Sequence, residues 1–213
     1  MRFALLGPLE ISDDGAVEVR GVLRRTLLAR LLLDAGRTVP SDELVELLWG
    51  GEPPASGLAV LYNQVNRLRQ NLGAGGERVV ATAAGYRVEV EPGELDLEVF
   101  ASCCAAGRAA SAESRWGDAA ESFSRALALW RGRPLDGLPA LGDHLRIRQL
   151  EEERFQALES RIHADLSLGP SPEVIGELRT LVRGNPLREA LAGRLMQTLA
   201  RVGRRDEALE VYR

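Results

Sequence analysis

Leu58, Leu61, Val65, Leu68 and Leu72 follow one another at intervals of 3, 4, 3 and 4 residues. At about 100° per residue these positions fall within roughly 80° of arc, so the pattern predicts an amphipathic helix across residues 55–73 with one buried stripe. Asn63, Asn66, Arg67 and Gln70 take the opposite face. Directly behind it, Arg78–Val90 reads as a β-hairpin. Ahead of it, Arg2–Leu6, Leu9–Ile11 and Ala16–Arg20 read as short strands separated by the turn signals Gly7-Pro8 and Asp13-Asp14-Gly15. A helix from Arg24 to Ala35 presents Leu27, Leu28, Leu31 and Leu32, and Gly36 is a plausible stop. Pro40-Ser41-Asp42-Glu43 opens another helix, with Ser41 as its expected N-cap and Leu44, Val45, Leu47, Leu48 and Trp49 within it; Trp49 is expected in the core. Gly50-Gly51-Glu52-Pro53-Pro54 ends that helix.

The order is a three-strand N-terminal sheet, three helices and a hairpin wing, an α+β winged helix-turn-helix closing near Glu91-Pro92-Gly93. A DNA-binding domain over 1–93 is therefore expected. From Leu97 the pattern is all-helical. Glu173–Leu181 aligns with Glu207–Arg213 at an offset of 34, the tetratricopeptide period, with Pro186, Gly203 and Ala208 at fitting positions. Trp116–Leu127 forms a third unit, and a turn-and-loop segment around Arg131–Leu145 interrupts the register. Residues 94–213 are expected to form a tetratricopeptide-like helical domain. The chain stops at Tyr212-Arg213 inside a repeat, so a longer natural protein is expected.

Composition narrows the chemistry. All 27 basic residues are Arg, which removes a Walker A lysine, a Schiff-base lysine and a Ser-Lys dyad. No Cys/His cluster has metal spacing, so no metal, cofactor or enzyme activity is expected; His144 and His163 stand singly. Cys103 and Cys104 are adjacent and ill placed for a disulfide, consistent with a reducing cytoplasm. No apolar run is long enough for a membrane span or a signal peptide. The net charge of −4 is uneven. Residues 1–96 carry ten Arg against fourteen Asp or Glu, whereas 55–90 carry four Arg against two Glu. The helix and hairpin are thus locally basic inside an acidic domain, as local recognition of a polyanion requires.

Arg suits guanine O6 and N7, and Asn or Gln suits adenine N6 and N7, so Asn63, Asn66, Arg67 and Gln70 are the expected base readers. Ala59 shares their face and could touch a thymine methyl. Tyr62 and Arg69 flank it and could reach phosphates. Arg24 and Arg25 are candidate phosphate clamps, or else a solvated pair. Thr82 and Arg87 belong to the wing. Arg87 could enter a narrow minor groove, or simply be a solvated strand edge. Tyr86 fits wing-root packing. A second class of function, a helical-repeat protein-binding module, fits the same pattern.

Six stretches in order carry a family resemblance: Phe3–Glu10, the Leu-rich first helix, Leu47–Pro54, Val65–Arg69, Gly85-Tyr86-Arg87 and Glu91–Leu97. Together they resemble the OmpR-type winged helix of the Streptomyces antibiotic regulatory protein family, and residues beyond 94 resemble its bacterial transcriptional activation domain. Val65-Asn66-Arg67 departs from the family, which more often has Ser before the Arg. The resemblance implies a transcriptional activator of antibiotic biosynthesis genes, cytoplasmic and nucleoid-associated. It implies binding to double-stranded promoter DNA with direct repeats, with a second protomer possible on the DNA. It also implies an RNA polymerase contact, with Glu52 in the Gly50–Ala55 loop as the acidic candidate; the other reading of that loop is a rigid Pro-Pro linker.

Overall fold

The computed structural model describes residues 1–50, 52, 54 and 56–212. The chain forms two compact units, residues 1–101 with 128–153, and residues 102–127 with 154–213.

In the first unit, β1 (Arg2–Ala4) pairs antiparallel with β2 (Glu10–Ser12), Phe3 facing Ile11. The expected third strand, Ala16–Arg20, is reduced to one bridge between Ala16 and Ser12 and a hydrogen bond from Val17 N to Ile11 O at 2.8 Å. β1 is flanked on its other edge by residues 94–95: Phe3 bridges Leu95 in parallel, and its N–H donates to Glu94 O at 2.7 Å.

Helix α1 (Val22–Leu33) follows and is buried without a break from Thr26 to Leu33. A helix apolar on all sides must be covered on all sides. One buried position is charged: Arg30, whose Nη1 donates to Asp34 at 2.5 Å and whose Nη2 donates to Glu43 at 2.5 Å. The strand β3 (Val39–Pro40) leads into α2 (Ser41–Trp49). Ser41 was expected to cap this helix through its side chain. It is instead the first helical residue and makes no side-chain cap; its N–H donates to Ala84 O at 3.1 Å. Trp49, expected in the core, is half-buried. Gly50 ends α2 in the left-handed conformation, φ 60°, which glycine adopts without strain.

Helix α3 (Gly57–Leu72) buries Leu61, Val65, Leu68 and Leu72, as the spacing predicts, but leaves Leu58 exposed. A 3-10 turn over Gly73–Arg78 leads to β4 (Val79–Ala81) and β5 (Gly85–Val88). β5 is the middle strand of a three-stranded sheet, between β3 and β4. Val79 pairs with Val88, and Val39 with Tyr86.

Two later segments complete this unit. Asp96 opens α4 (Asp96–Ala112), and its Oδ2 accepts the N–H groups of Leu5 at 2.7 Å and Leu6 at 2.9 Å. The stretch between α5 (Trp116–Ala128) and α6 (Leu145–Leu168), expected only to interrupt a repeat, returns to the N-terminal turn. Arg131 N donates to Leu6 O at 2.7 Å, and Leu135 N donates to Gly7 O at 2.7 Å. Gly7 permits this approach, since a Cβ there would lie 2.9 Å from Arg131 Cβ. Leu135, Leu138 and Leu141 are buried alongside.

The second unit is helical, adding α7 (Pro172–Gly184), α8 (Glu189–Arg201) and α9 (Arg205–Tyr212). Ser171 caps α7 by accepting from Val174 N at 3.3 Å. Ile162, Leu166, Ile175, Leu178, Leu191, Leu195, Leu199 and Ala208 form one core. Arg161 pairs with Glu177, Arg179 with Glu207, and Arg194 Nη1 donates to Glu159 O at 2.8 Å, so each neighbouring helix carries a guanidinium tie. Trp116 stacks edge-on against His163 at 5.4 Å. Burial, and after it the charge of Arg194, lowers the His163 pKa.

Glu94 makes the first unit's fold pH-sensitive. Burial alone would raise its carboxyl. The Glu91 N–H at 2.7 Å, the Met1 amino group and the Arg78 guanidinium outweigh burial and hold its pKa at about 2, against an ordinary 4.5. A depressed folded-state value contributes stability above the ordinary value, and that contribution is lost as pH falls toward 2. Glu94→Gln is expected to lower stability at pH 7 by about 1.5–3 kcal/mol, the range for hydrogen bonds to a charged group. It should also flatten the acid limb of urea-unfolding stability plotted against pH; a limb as steep as the native one would exclude this carboxylate as its source.

Candidate nucleic-acid interface

The stripe from Leu61 to Leu72 pins one side of α3 into the core and fixes the opposite side outward. That outward side carries Asn63, Arg67 and Gln70 exposed and Asn66 half-buried. Their side chains make no hydrogen bond or ion pair with any described residue. α3 contains two Arg and no Asp or Glu. An outward row of unengaged amide and guanidinium groups on a helix without carboxylates is matched to a surface of mixed donors, acceptors and negative charge.

The flanking candidates divide. Tyr62 is exposed. Arg69, expected at a phosphate, turns inward: Nε and Nη2 donate to Val79 O at 3.0 and 2.7 Å. It ties the end of α3 to the first wing strand. Close packing of the turn behind it needs Gly76, where a Cβ would run into the Arg69 carbonyl. Arg24 donates to Arg20 O and reaches Gln64 Oε1 at 3.5 Å, bracing α1 against α3. Arg25 instead lines a groove over the N-terminal strands with Arg2, Glu10 and Glu18, so the two adjacent arginines do not form one clamp.

The wing turn is built by Thr82, whose Oγ1 accepts from Gly85 N and donates to Gly85 O, each at 3.2 Å. This engages the Thr82 hydroxyl within the turn and leaves Ala83 and Ala84 exposed at the tip. Arg87 pairs at 2.6 Å with Glu89, just past the end of its strand, so its charge is partly neutralised. Tyr86 is half-buried at the wing root. Glu52 is exposed, and its N–H donates to Trp49 O at 3.4 Å. Gly51, Pro53 and Ala55 of the same loop lie outside the described residues.

Sequence reasoning did not find β3, the Gln64 brace or the inward turn of Arg69. A two-residue strand has no periodicity to detect. A guanidinium bound to a carbonyl ten residues away has no signature in spacing. The burial of His144 was also not visible. It lies near Arg30, Asp34 and Glu43, and burial followed by the Arg30 charge lowers its pKa. Among the described residues, no group of three His, Cys, Asp or Glu side chains suits a metal ion.

Residues 95–213 match the family model of the bacterial transcriptional activator domain. Residues 23–88 match that of the C-terminal domain of transcriptional regulatory proteins. The chain is 39% identical over 214 residues to the regulatory protein AfsR of Streptomyces coelicolor, all of this chain matching 21% of that protein. It is 33% identical over 224 residues to the regulatory protein DnrI of Streptomyces peucetius, matching 82% of it. The chain therefore spans about a fifth of AfsR and four-fifths of DnrI. A solved structure of EmbR from Mycobacterium tuberculosis, in complex with a low-affinity phosphopeptide, superposes with a TM-score of 0.91 at 31% identity. It covers 99% of this chain, which in turn covers 57% of that one.

The wing's seat on α2 depends on Gly85. A Cβ there would collide with the Val39 carbonyl oxygen and stand 2.9 Å from Ser41 N, and both are backbone atoms that cannot swing away. Gly85→Ala is expected to cost about 1–3 kcal/mol, the range for overpacking a tight site. Thermal unfolding checks this: an unchanged midpoint would mean that β3 and β5 are not held this closely.

Proposed function

For a chain that belongs to the Streptomyces antibiotic regulatory protein family, we propose the role of a sequence-specific, DNA-binding transcriptional activator of secondary-metabolite genes. The observation that carries the reading is the outward row of Asn63, Asn66, Arg67 and Gln70, unengaged by any described residue on a helix whose other face is locked in the core. Set in a major groove, Arg67 offers a fork of donors for guanine, and the amides offer paired donor and acceptor for adenine. Tyr62 and Arg25 supply contacts at the flank. Arg24 and Arg69 serve mainly to position α3 and the wing. Thr82 shapes the wing tip, and Arg87 approaches the DNA only by exchanging Glu89 for a phosphate.

Residues 1–93 act as the DNA-binding domain and 94–213 as the activation domain. The ligand is duplex promoter DNA with direct repeats, at the nucleoid in the cytoplasm. A second protomer in the same orientation occupies the second repeat, a head-to-tail contact that need not exist without DNA. RNA polymerase is the activation partner, and the exposed Glu52 is the acidic group that meets it.

Asn63→Ala and Arg67→Ala should each weaken specific binding by about 1–3 kcal/mol, the worth of a good bidentate base contact. Folding should be unaffected, since both lie opposite the buried stripe. Titration of promoter duplexes against random duplexes tests this, and native-like discrimination by both variants would overturn the assignment of the reading face. Glu52→Arg should keep operator affinity within about twofold, because a rim charge mainly serves partner recognition. Transcript yield from a reconstituted polymerase reaction at saturating occupancy should fall. Full yield would remove Glu52 from the activation surface.

A further inference from the structure

Leu58 breaks the buried pattern of α3. Its spacing places it in the stripe, yet it is 64% exposed, and Tyr62, one turn on, is 57% exposed. Ala59 beside them is exposed as well. Side chains four apart stand in rows on a helix. One row runs Leu58, Tyr62, Asn66, and its neighbour runs Ala59, Asn63, Arg67. The outward strip therefore changes chemistry along the axis, apolar at the N-terminal end and amide or guanidinium beyond it. A lone exposed leucine needs no explanation, but an apolar ridge continuous with the reading residues does.

In helix-turn-helix proteins the N-terminal residues of the reading helix are the ones that contact base edges. Among the groups a base pair presents in the major groove, the apolar one is a pyrimidine 5-methyl, carried by thymine. We infer that Leu58 and Tyr62 form an apolar subsite for pyrimidine 5-methyl groups. The operator then carries thymine at one or two positions facing the start of α3, next to the bases taken by Asn63 and Arg67. This inference rests on α3 being the DNA-reading helix. It adds residues that act by shape and desolvation, which respond differently to salt and base analogues than the polar contacts do. Cytosine methylated at C5 offers the same group and should substitute for thymine in the contact itself.

The test starts from a duplex enriched by the native protein from a randomised pool. That duplex is remade with uracil replacing each thymine singly, which removes the methyl group and leaves every hydrogen-bonding group in place. One or two positions should weaken binding about fourfold, the worth of one methyl-sized group removed from water. In Leu58→Ala that penalty should vanish, while affinity for the uracil duplex stays at the native value. Tyr62→Ala, which removes the ring, should likewise reduce the penalty at a sensitive thymine. Placing 5-methylcytosine, paired with guanine, at the sensitive position should bind more tightly than cytosine there, for the native protein and not for Leu58→Ala. Enrichment of a duplex in which no thymine is sensitive, or a uracil penalty that persists in Leu58→Ala, overturns this inference alone. Equal weakening of thymine and uracil duplexes by Tyr62→Ala, with the penalty unchanged, overturns the part given to Tyr62 and makes it a backbone contact. A native protein that enriches no duplex overturns the DNA reading and this inference together.

Discussion

The first unit depends on burying α1. Eight consecutive residues, Thr26 to Leu33, are shielded from water. Ordinary surface helices carry an apolar stripe on one side and solvate the other, so they need one layer of cover. Here α2, α3, β5 and the 3-10 turn at Pro139–Leu141 all pack on α1. The last of these comes from beyond residue 128. A winged helix built from 1–93 alone would leave the corresponding leucines facing water, at about 25 cal/mol for each Å² of apolar surface. The boundary at which function changes and the boundary at which the core closes therefore need not coincide. The Asp96 carboxylate fits the same scheme: it accepts the two N–H groups at the end of β1 that no strand satisfies.

A buried α1 also defines where α3 points. Leu61, Val65, Leu68 and Leu72 are almost wholly buried, and Arg24 with Gln64 braces the two helices near the surface. Arg69 fixes the far end of α3 to Val79, and Ser41 N–H fixes the start of α2 to the wing turn. The wing and α3 thus share anchors. A change at Gly85 or Arg69 would move both, whereas a change at Asn63 or Arg67 moves neither. Preorganisation of this kind removes ordering cost from binding.

The spacing of apolar residues made most of the fold legible. The 3-4-3-4 run located α3 and its outward face, and the turn signals located the wing and the helix ends. The two segments aligned at an offset of 34 fall in the helices α7 and α9. Contacts distant in sequence were not legible. Nothing near Arg131 or Leu135 reports that their N–H groups bond to Leu6 and Gly7, because those bonds use backbone groups that every residue carries. Leu58 shows the limit of periodicity from the other side. Its angular position matches the stripe, but it sits in the first turn of α3, where no element of the described residues buries it. Residue type could suggest Arg69 and Arg24 as phosphate contacts, and the fold adds that nearby carbonyls already accept some of their hydrogens.

Charge bears on how an acidic unit would read DNA under the proposed function. Of the ten Arg in residues 1–96, Arg20, Arg24, Arg30, Arg69, Arg78 and Arg87 donate to carboxylates or carbonyls of the same unit. Non-specific affinity follows the number of phosphates neutralised and falls steeply with salt. With few guanidinium groups unengaged and an excess of carboxylates elsewhere, that term is small. On the proposed reading, base contacts from Asn63, Asn66, Arg67 and Gln70 would supply a larger share of the total, and a weak background would raise the ratio of specific to random binding. The proposed tandem sites would extend the same logic: two modest half-site affinities combined on one duplex would give occupancy that either alone would not reach.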